Sequence, residues 1–335
     1  MLTMTSTTPI KRLSRPAHPR SFRITERDSA IVRAVARWRF MSSDQIIRFL
    51  TGLSSEDLSA VLKQKPWAFQ QILRRLFLLS SHHYLDLPPH QIMQLAAFAP
   101  FVYGLGREGA RLLAERGDHV DPRLQWTTKN SRATSVFLMH TLDTTEFMLA
   151  CDRACRDRSD VRLIDQPDLL PHFPAATQDL DDPLRLRVTV KRDVKHVPLN
   201  VIPDRVFSFA YPDNTGHHFA LEIDRGTMDV GHRSKRLHLT GKSTFKRKHL
   251  AYFEAWKQHR HREQWGFRGF RVLTVTPSET RIHNMIDAQR QITNDAAGGL
   301  FLYSTPERIA AEGPLGPAWV NAAGERVPLF ERASQ

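Results

Sequence analysis

Residues 201–224, VIPDRVFSFAYPDNTGHHFALEID, constrain the fold more than any other stretch, because they set three carboxylates within two apolar strand patterns. Side chains along a strand alternate between its faces, so Glu222 and Asp224 project together while Leu221 and Ile223 project the other way. If the strand that follows Asp204 pairs alongside, Asp204, Glu222 and Asp224 meet at one edge of a sheet. Three hard oxygen ligands in that position suit Mg²⁺ or Mn²⁺ beside a phosphate. The alternative is that the acids are solvated strand ends or partners of nearby arginines.

The chain has 335 residues, room for two domains, and its 41% hydrophobic content is enough for substantial cores. Its 48 Lys and Arg against 35 Asp and Glu give a net charge of +13, which points to an anionic polymer or surface as partner, nucleic acid first. A membrane is not expected: the longest apolar run, 95–105, is short and is interrupted by Pro100. The first 22 residues carry Lys11, Arg12, Arg15 and Arg20 without the apolar segment of a secretory signal, so they read as a flexible basic arm on a cytoplasmic protein. Cys151 and Cys155 fall on adjacent turns of one helix and lack the second pair that a structural zinc site needs, which leaves core packing as their role.

The segment 23–120 reads as a winged-helix domain, the alternative being a generic small helical domain. Thr25 followed by Asp28 signals a helix start, with Ile31, Val35 and Trp38 on one side. A second start at Ser42 or Ser43 leads into DQIIRFL, the first half of a helix-turn-helix, and 51–64 is a polar connector with room for a further helical turn. Pro66 then opens PWAFQQILRRLFLLS, which turns Phe69, Ile72, Leu73 and Leu76 inward and offers Gln70, Gln71, Arg74 and Arg75 to DNA. Arginine and glutamine read guanine and adenine edges; the plainer alternative is an exposed amphipathic helix with ordinary surface charge. HHYLDL at 82–87 and FVYGL at 101–105 supply the wing, and GREGARLLAERG at 106–117 a closing helix.

Residues 121–133 read as a linker, 134–305 as a second domain and 306–335 as a C-terminal tail. The second domain opens with a long helix over 135–156 that aligns His140, Asp143 and Glu146. Strands are expected at 161–165, 185–192, 197–202, 205–211, 217–224, 270–276 and 299–305, helices at 243–260 and from 278 to about 294, and a surface loop at 166–183. That order implies an α/β sheet covered on both faces. Between 230 and 253 there is no acid, but there are Arg233, Lys235, Arg236, Lys242, Lys246, Arg247 and Lys248, a run suited to phosphate contact.

ITERDSAIVRAVARWRFMSSDQIIRFL, GREGARLLAERG, MHTLDTTEF, PDRVFSF, FALEIDRGT and RVLTVTPSETR, in that order, resemble the replication-relaxation family, proteins associated with plasmids and other mobile elements. The resemblance implies an α+β/α/β chain: an N-terminal winged helix-turn-helix, then a restriction-endonuclease-like α/β domain of the PD-(D/E)xK kind with a mixed central sheet. It maps the motif's first acid to Asp204 and its second to Glu222, with Glu146 as a helix carboxylate that joins them on Mg²⁺ or Mn²⁺. Asp224 stands where the motif has lysine. Either Lys242 or Lys246 reaches the site from the following helix, or Asp224 acts as a third metal ligand. The expected function is a DNA-binding protein of a mobile element, acting in replication or relaxation with DNA and other replication or mobilisation proteins. The alternatives are a divalent-metal endonuclease and a catalytically inactive nuclease-like scaffold.

Overall fold

A computed structural model describes residues 23–89, 100–118, 120, 125–192, 195–213, 215–230, 244–293 and 298–330. The expected basic arm at 1–22 lies outside them. The chain divides into two compact units, Met1–Thr145 and Glu146–Gln335.

In the first unit the described elements run α1 (Glu26–Trp38), β1 (Phe40–Ser42), α2 (Ser43–Thr51), α3 (Ser55–Gln64), α4 (Gln70–Ser81), β2 (Leu85–Asp86), β3 (Val102–Leu105), α5 (Arg107–Glu115) and α6 (Trp126–Ser131). Capping boxes start the first three helices: Thr25 with Asp28, Ser42 with Gln45, and Ser54 with Asp57. Gly52, in the left-handed region at φ 76°, ends α2. The strands form an antiparallel sheet in the order β1-β3-β2, with Phe40 opposite Gly104 and Leu85 opposite Leu105. Glycine is required at 104, since a Cβ there would lie 2.7 Å from the Phe40 ring. Ile31, Val35, Ile46, Leu76, Leu85, Leu105 and Leu113 are buried in this unit. Two elements depart from the sequence expectation. The residues joining the first two helices form β1, and the expected linker contains α6, whose buried Asn130 donates to the Leu105 carbonyl at 2.8 Å and to Asp86 at 3.1 Å.

The helix α7 (Ser135–Cys155) spans the division between the units. It is followed by β4 (Arg162–Ile164), α8 (Gln166–Leu169), α9 (Ala175–Gln178), β5 (Leu186–Arg192), β6 (Lys195–Val201), β7 (Arg205–Ala210), β8 (Gly216–Ile223), α10 (Phe245–Lys257), α11 (Arg260–Trp265), β9 (Arg271–Val275), α12 (Glu279–Thr293), β10 (Phe301–Ser304), α13 (Pro306–Glu312), β11 (Trp319–Val320) and β12 (Arg326–Val327). Seven strands make a mixed sheet in the order β12-β11-β10-β9-β8-β7-β4, with β8, β9 and β10 parallel and the other neighbours antiparallel. β5 and β6 form a separate hairpin. The expected surface loop at 166–183 instead carries α8 and α9 and buries Leu169 and Phe173. Residues 306–330, expected as a tail, carry α13 and then β11 and β12, which extend the sheet beyond β10, and Trp319 is fully buried.

Phe207, Phe209 and Phe219 cluster on one face of the sheet, with Phe147 of α7 against Phe207 at 5.8 Å and against Trp319 at 5.9 Å. Val206, Ala220 and Val272 belong to a separate core cluster with Leu250, Ala251 and Tyr252 of α10. The turn between β7 and β8 is closed by Tyr211 N to the Thr215 carbonyl at 2.8 Å and by the Asp213 carboxylate, which accepts from the Thr215 amide and hydroxyl. Gly216 must be glycine here, because a Cβ would lie 2.5 Å from the Phe209 carbonyl oxygen. Cys151 and Cys155 are buried free thiols on α7. Among the described residues no helix is long and apolar enough to cross a membrane.

Candidate acid and lysine site on the central sheet

Pairing of β7 with β8 places Arg205 opposite Leu221 and so brings Asp204 to the end of β8. Asp204 donates its amide to the Leu221 carbonyl at 2.9 Å, and its carboxylate accepts from the Ile223 amide at 2.7 Å. The side chain thereby takes over from the backbone where the ladder stops, which fixes it beside Glu222. Glu222 itself is only 6% exposed. Tyr252 donates to its Oε1 at 2.6 Å and Lys248 to its Oε2 at 2.5 Å. Those two donors stand one helical turn apart on α10, the spacing that puts side chains on one face of a helix. Thr244 caps that helix by accepting from the Arg247 amide. On β9 the register partner of Glu222 is Thr274, whose buried hydroxyl has no hydrogen-bond partner among the described residues.

Burial, and then the neighbouring Asp204 charge, push the Glu222 pKa up to about 7, against Lys248 and Tyr252, which hold it down. Burial works against the Lys248 charge, but Glu222, Asp204 and Asp224 raise its pKa above the ordinary lysine value, so it stays protonated at neutral pH. Tyr252 is pushed well up by burial and by Glu222, and remains a neutral donor. The folded chain therefore holds a proton on Glu222 more tightly than the unfolded chain does. Stability contributed at this group is present below the unfolded value of about 4.5 and is lost as pH rises through about 7. With EDTA present, the stability of the wild type relative to Glu222→Gln is expected to fall by up to about 3 kcal/mol between pH 4.5 and 8. Urea denaturation of both proteins across that range checks it, and a constant difference would contradict it.

Asp224 does not join this cluster as a third open carboxylate. It lies one residue past the end of β8, where its amide donates to the Val275 carbonyl at 2.8 Å. Its carboxylate accepts from the Thr276 hydroxyl at 2.7 Å and from Nε and Nη2 of Arg281 on α12, the latter at 2.9 Å. Arg281 Nη2 also reaches the Met228 carbonyl at 2.6 Å. Of the lysines expected to replace the motif's missing cation, Lys246 donates to Gln291 at 2.6 Å, and Lys242 lies outside the described residues. Glu146 is exposed on α7, and among the described residues no group of three or more His, Cys, Asp or Glu side chains is arranged to hold a metal. The four groups expected to touch DNA from the first unit also differ in surroundings. Gln70, Gln71 and Arg74 are exposed on α4, whereas Arg75 donates to Asp28 and to the Arg23 carbonyl. Of the basic run, Arg247 and Lys248 are half-buried, and Arg233, Lys235 and Arg236 lie outside the described residues.

A family model described as replication-relaxation matches residues 32–268. The chain belongs to the replication-relaxation family. Membership points to a role in replication or relaxation. No curated protein and no solved structure matches the chain. The replication-relaxation match takes in Asp204, Glu222, Lys248 and Tyr252, whereas Thr276 and Arg281, the partners of Asp224, lie beyond it. Tyr252 is the site residue that sequence reasoning missed, and Lys248 stood there only as a phosphate contact. Their spacing was the available signal, a lysine and a tyrosine four apart on the helix after an acidic strand.

Proposed function

We propose that this replication-relaxation protein binds DNA, and that its second unit acts on phosphodiesters with divalent metal held by Asp204 and Glu222. The observation that carries this reading is Lys248, a lysine delivered from α10 to the buried second acid although the strand position has Asp224. Two carboxylates beside the buried Thr274 hydroxyl, which has no partner among the described residues, suit Mg²⁺, which commonly takes one or two carboxylates and completes its shell with waters and substrate phosphate. When bound, such an ion would stabilise charge on the phosphate and supply a more acidic water. The chain's own groups divide the remaining work. The Ile223 amide orients Asp204, and Tyr252 fixes the Glu222 carboxylate by a bond that leaves its own proton in place. Lys248, protonated, sets positive charge where a phosphate oxygen would gain negative charge. It acts as a cation rather than as a base.

The first unit supports the DNA-binding half. Its helices α1, α2 and α4 and its antiparallel β1-β3-β2 sheet follow the element order of a winged helix, with Gln70, Gln71 and Arg74 exposed on the helix that would enter the major groove. Supercoiled plasmid incubated with Mg²⁺ or Mn²⁺ is expected to be nicked by the wild type and not by Asp204→Ala. Equal nicking by the variant would assign the activity to a contaminant. A second reading, DNA binding without cleavage, draws on the closed bonding of Glu222 by Lys248 and Tyr252 and of Asp224 by Arg281 and Thr276, a network complete without metal. Binding with no nicking under any metal would establish it.

A further inference from the structure

Arg39 is one of three non-glycine residues with positive φ among the described residues, at 72°, where α1 hands over to β1. A side chain in that backbone region is strained, and such positions persist where the surrounding structure over-determines them. Its guanidinium does not turn back to cap its own helix. Beside it, the Phe40 carbonyl lies 3.0 Å from the Thr145 hydroxyl, whose single proton it shares with the Thr141 carbonyl at 2.9 Å. The guanidinium lies over the Phe40 ring at 4.6 Å and the Trp126 ring at 5.4 Å, and its Nη1 is buried with no hydrogen-bond partner among the described residues.

The same Trp126 ring carries a second cation, Lys129 Nζ at 5.4 Å. Among the described residues neither cation forms an ion pair, although Arg33, Arg75 and Arg116 of this unit pair with Asp118, Asp28 and Glu26. Asp86, the acid beside α6, accepts instead from Thr127 at 2.8 Å and Asn130 at 3.1 Å. Burial lowers the Arg39 pKa to about 10, and burial and then Arg39 lower that of Lys129. Two like charges on one ring, one of them half-buried, are costly without an anion between or beside them. A planar guanidinium, a compact ammonium and a flat indole together match one phosphate group and its neighbouring sugar or base.

We propose that Arg39, Lys129 and the Trp126 ring form a seat for one backbone phosphate of DNA. This rests on the DNA-binding reading above, and adds a contact in the first unit that does not involve α4. Two measurements separate the seat from that reading. In the first, anisotropy of a labelled duplex is followed against KCl for the wild type, Lys129→Met and Arg39→Lys. Lys129→Met is expected to make the plot of log K against log salt shallower by about 1, as loss of one phosphate contact does. Arg39→Lys keeps the charge and should keep the slope while losing the guanidinium's second donor, and so bind more weakly. An unchanged slope in Lys129→Met overturns the seat.

In the second, the melting temperature is compared in inorganic phosphate and in chloride at equal ionic strength. Phosphate is expected to raise the wild type by more than it raises Lys129→Met, and an equal rise overturns the seat. If no duplex binds even at low salt while the phosphate difference persists, the seat stands as an anion site and the DNA reading fails.

Discussion

Replacing Lys248 by methionine is expected to lower metal-dependent plasmid nicking by about 10²–10³-fold, the usual cost of removing one group that stabilises transition-state charge. The effect has two parts. The variant loses the protonated amine at 2.5 Å from Glu222, and it also removes the strongest influence holding that carboxylate ionised. Burial and Asp204 would then act on Glu222 with only Tyr252 opposing them, and a protonated Glu222 no longer holds a cation. Lys248→Met combined with Glu222→Gln should recover stability at neutral pH, because glutamine is neutral without having to hold a proton there, and should recover no nicking. Circular dichroism and urea denaturation beside the nicking assay distinguish a lost cation from a lost fold. A folded Lys248→Met protein that nicks at the wild-type rate would refute the assignment.

The second large effect belongs to stability. Asp28 is fully buried, and it serves both as the acid of the α1 capping box and as the partner of Arg75 on α4. Burial pushes its pKa up, but the bonds from Arg75 and Thr25 outweigh that and hold it below the ordinary value. Arg75→Ala is expected to cost the first unit about 3–5 kcal/mol, since it leaves a buried carboxylate without its cation. Arg75→Ala with Asp28→Asn should cost less than Arg75→Ala alone. Arg74→Ala, one residue earlier but exposed, should change stability by about 0.5 kcal/mol or less and weaken duplex binding. Amide hydrogen exchange in α1 reads the first effect locally, and anisotropy reads the second. Equal loss of protection in both arginine variants would show that the two do not differ in this way.

The contrast between Arg74 and Arg75 also marks where sequence reasoning stops. Periodicity places α4 and the buried Ile72 and Leu76, although Leu73, expected to turn inward, is exposed; the partner of Arg75 lies 47 residues away, and no local pattern announces it. The same holds at the site. Alternation along β8 brings Glu222 to the correct face, and the apolar run before it makes the strand plain. Asp224 follows the same alternation on paper, yet β8 ends at Ile223 and Arg281, 57 residues later, takes the carboxylate. Among the lysines of the basic run, charge alone gives no preference. Helix phase does, because the lysine one turn before Tyr252 faces Glu222, whereas Lys246 faces Gln291. Short elements such as β1, α6, β11 and β12 are set by long-range pairing and burial rather than by propensity, so they escaped notice.

The turn that joins β7 to β8 lies outside the acid and lysine cluster, and surface turns usually tolerate changes of length. This one sets the parity of everything beyond it. Ser208 faces His218 and Arg205 faces Leu221 only while the connection keeps its present count, held by Asp213, Thr215 and Gly216. A slip of β8 by one residue would send Glu222 to the phenylalanine face and present Leu221 or Ile223 to Lys248, with no site residue altered. Loop length is thus as much a part of the site's inheritance as its acids, and insertions there should be accepted only in forms that leave the strand in phase.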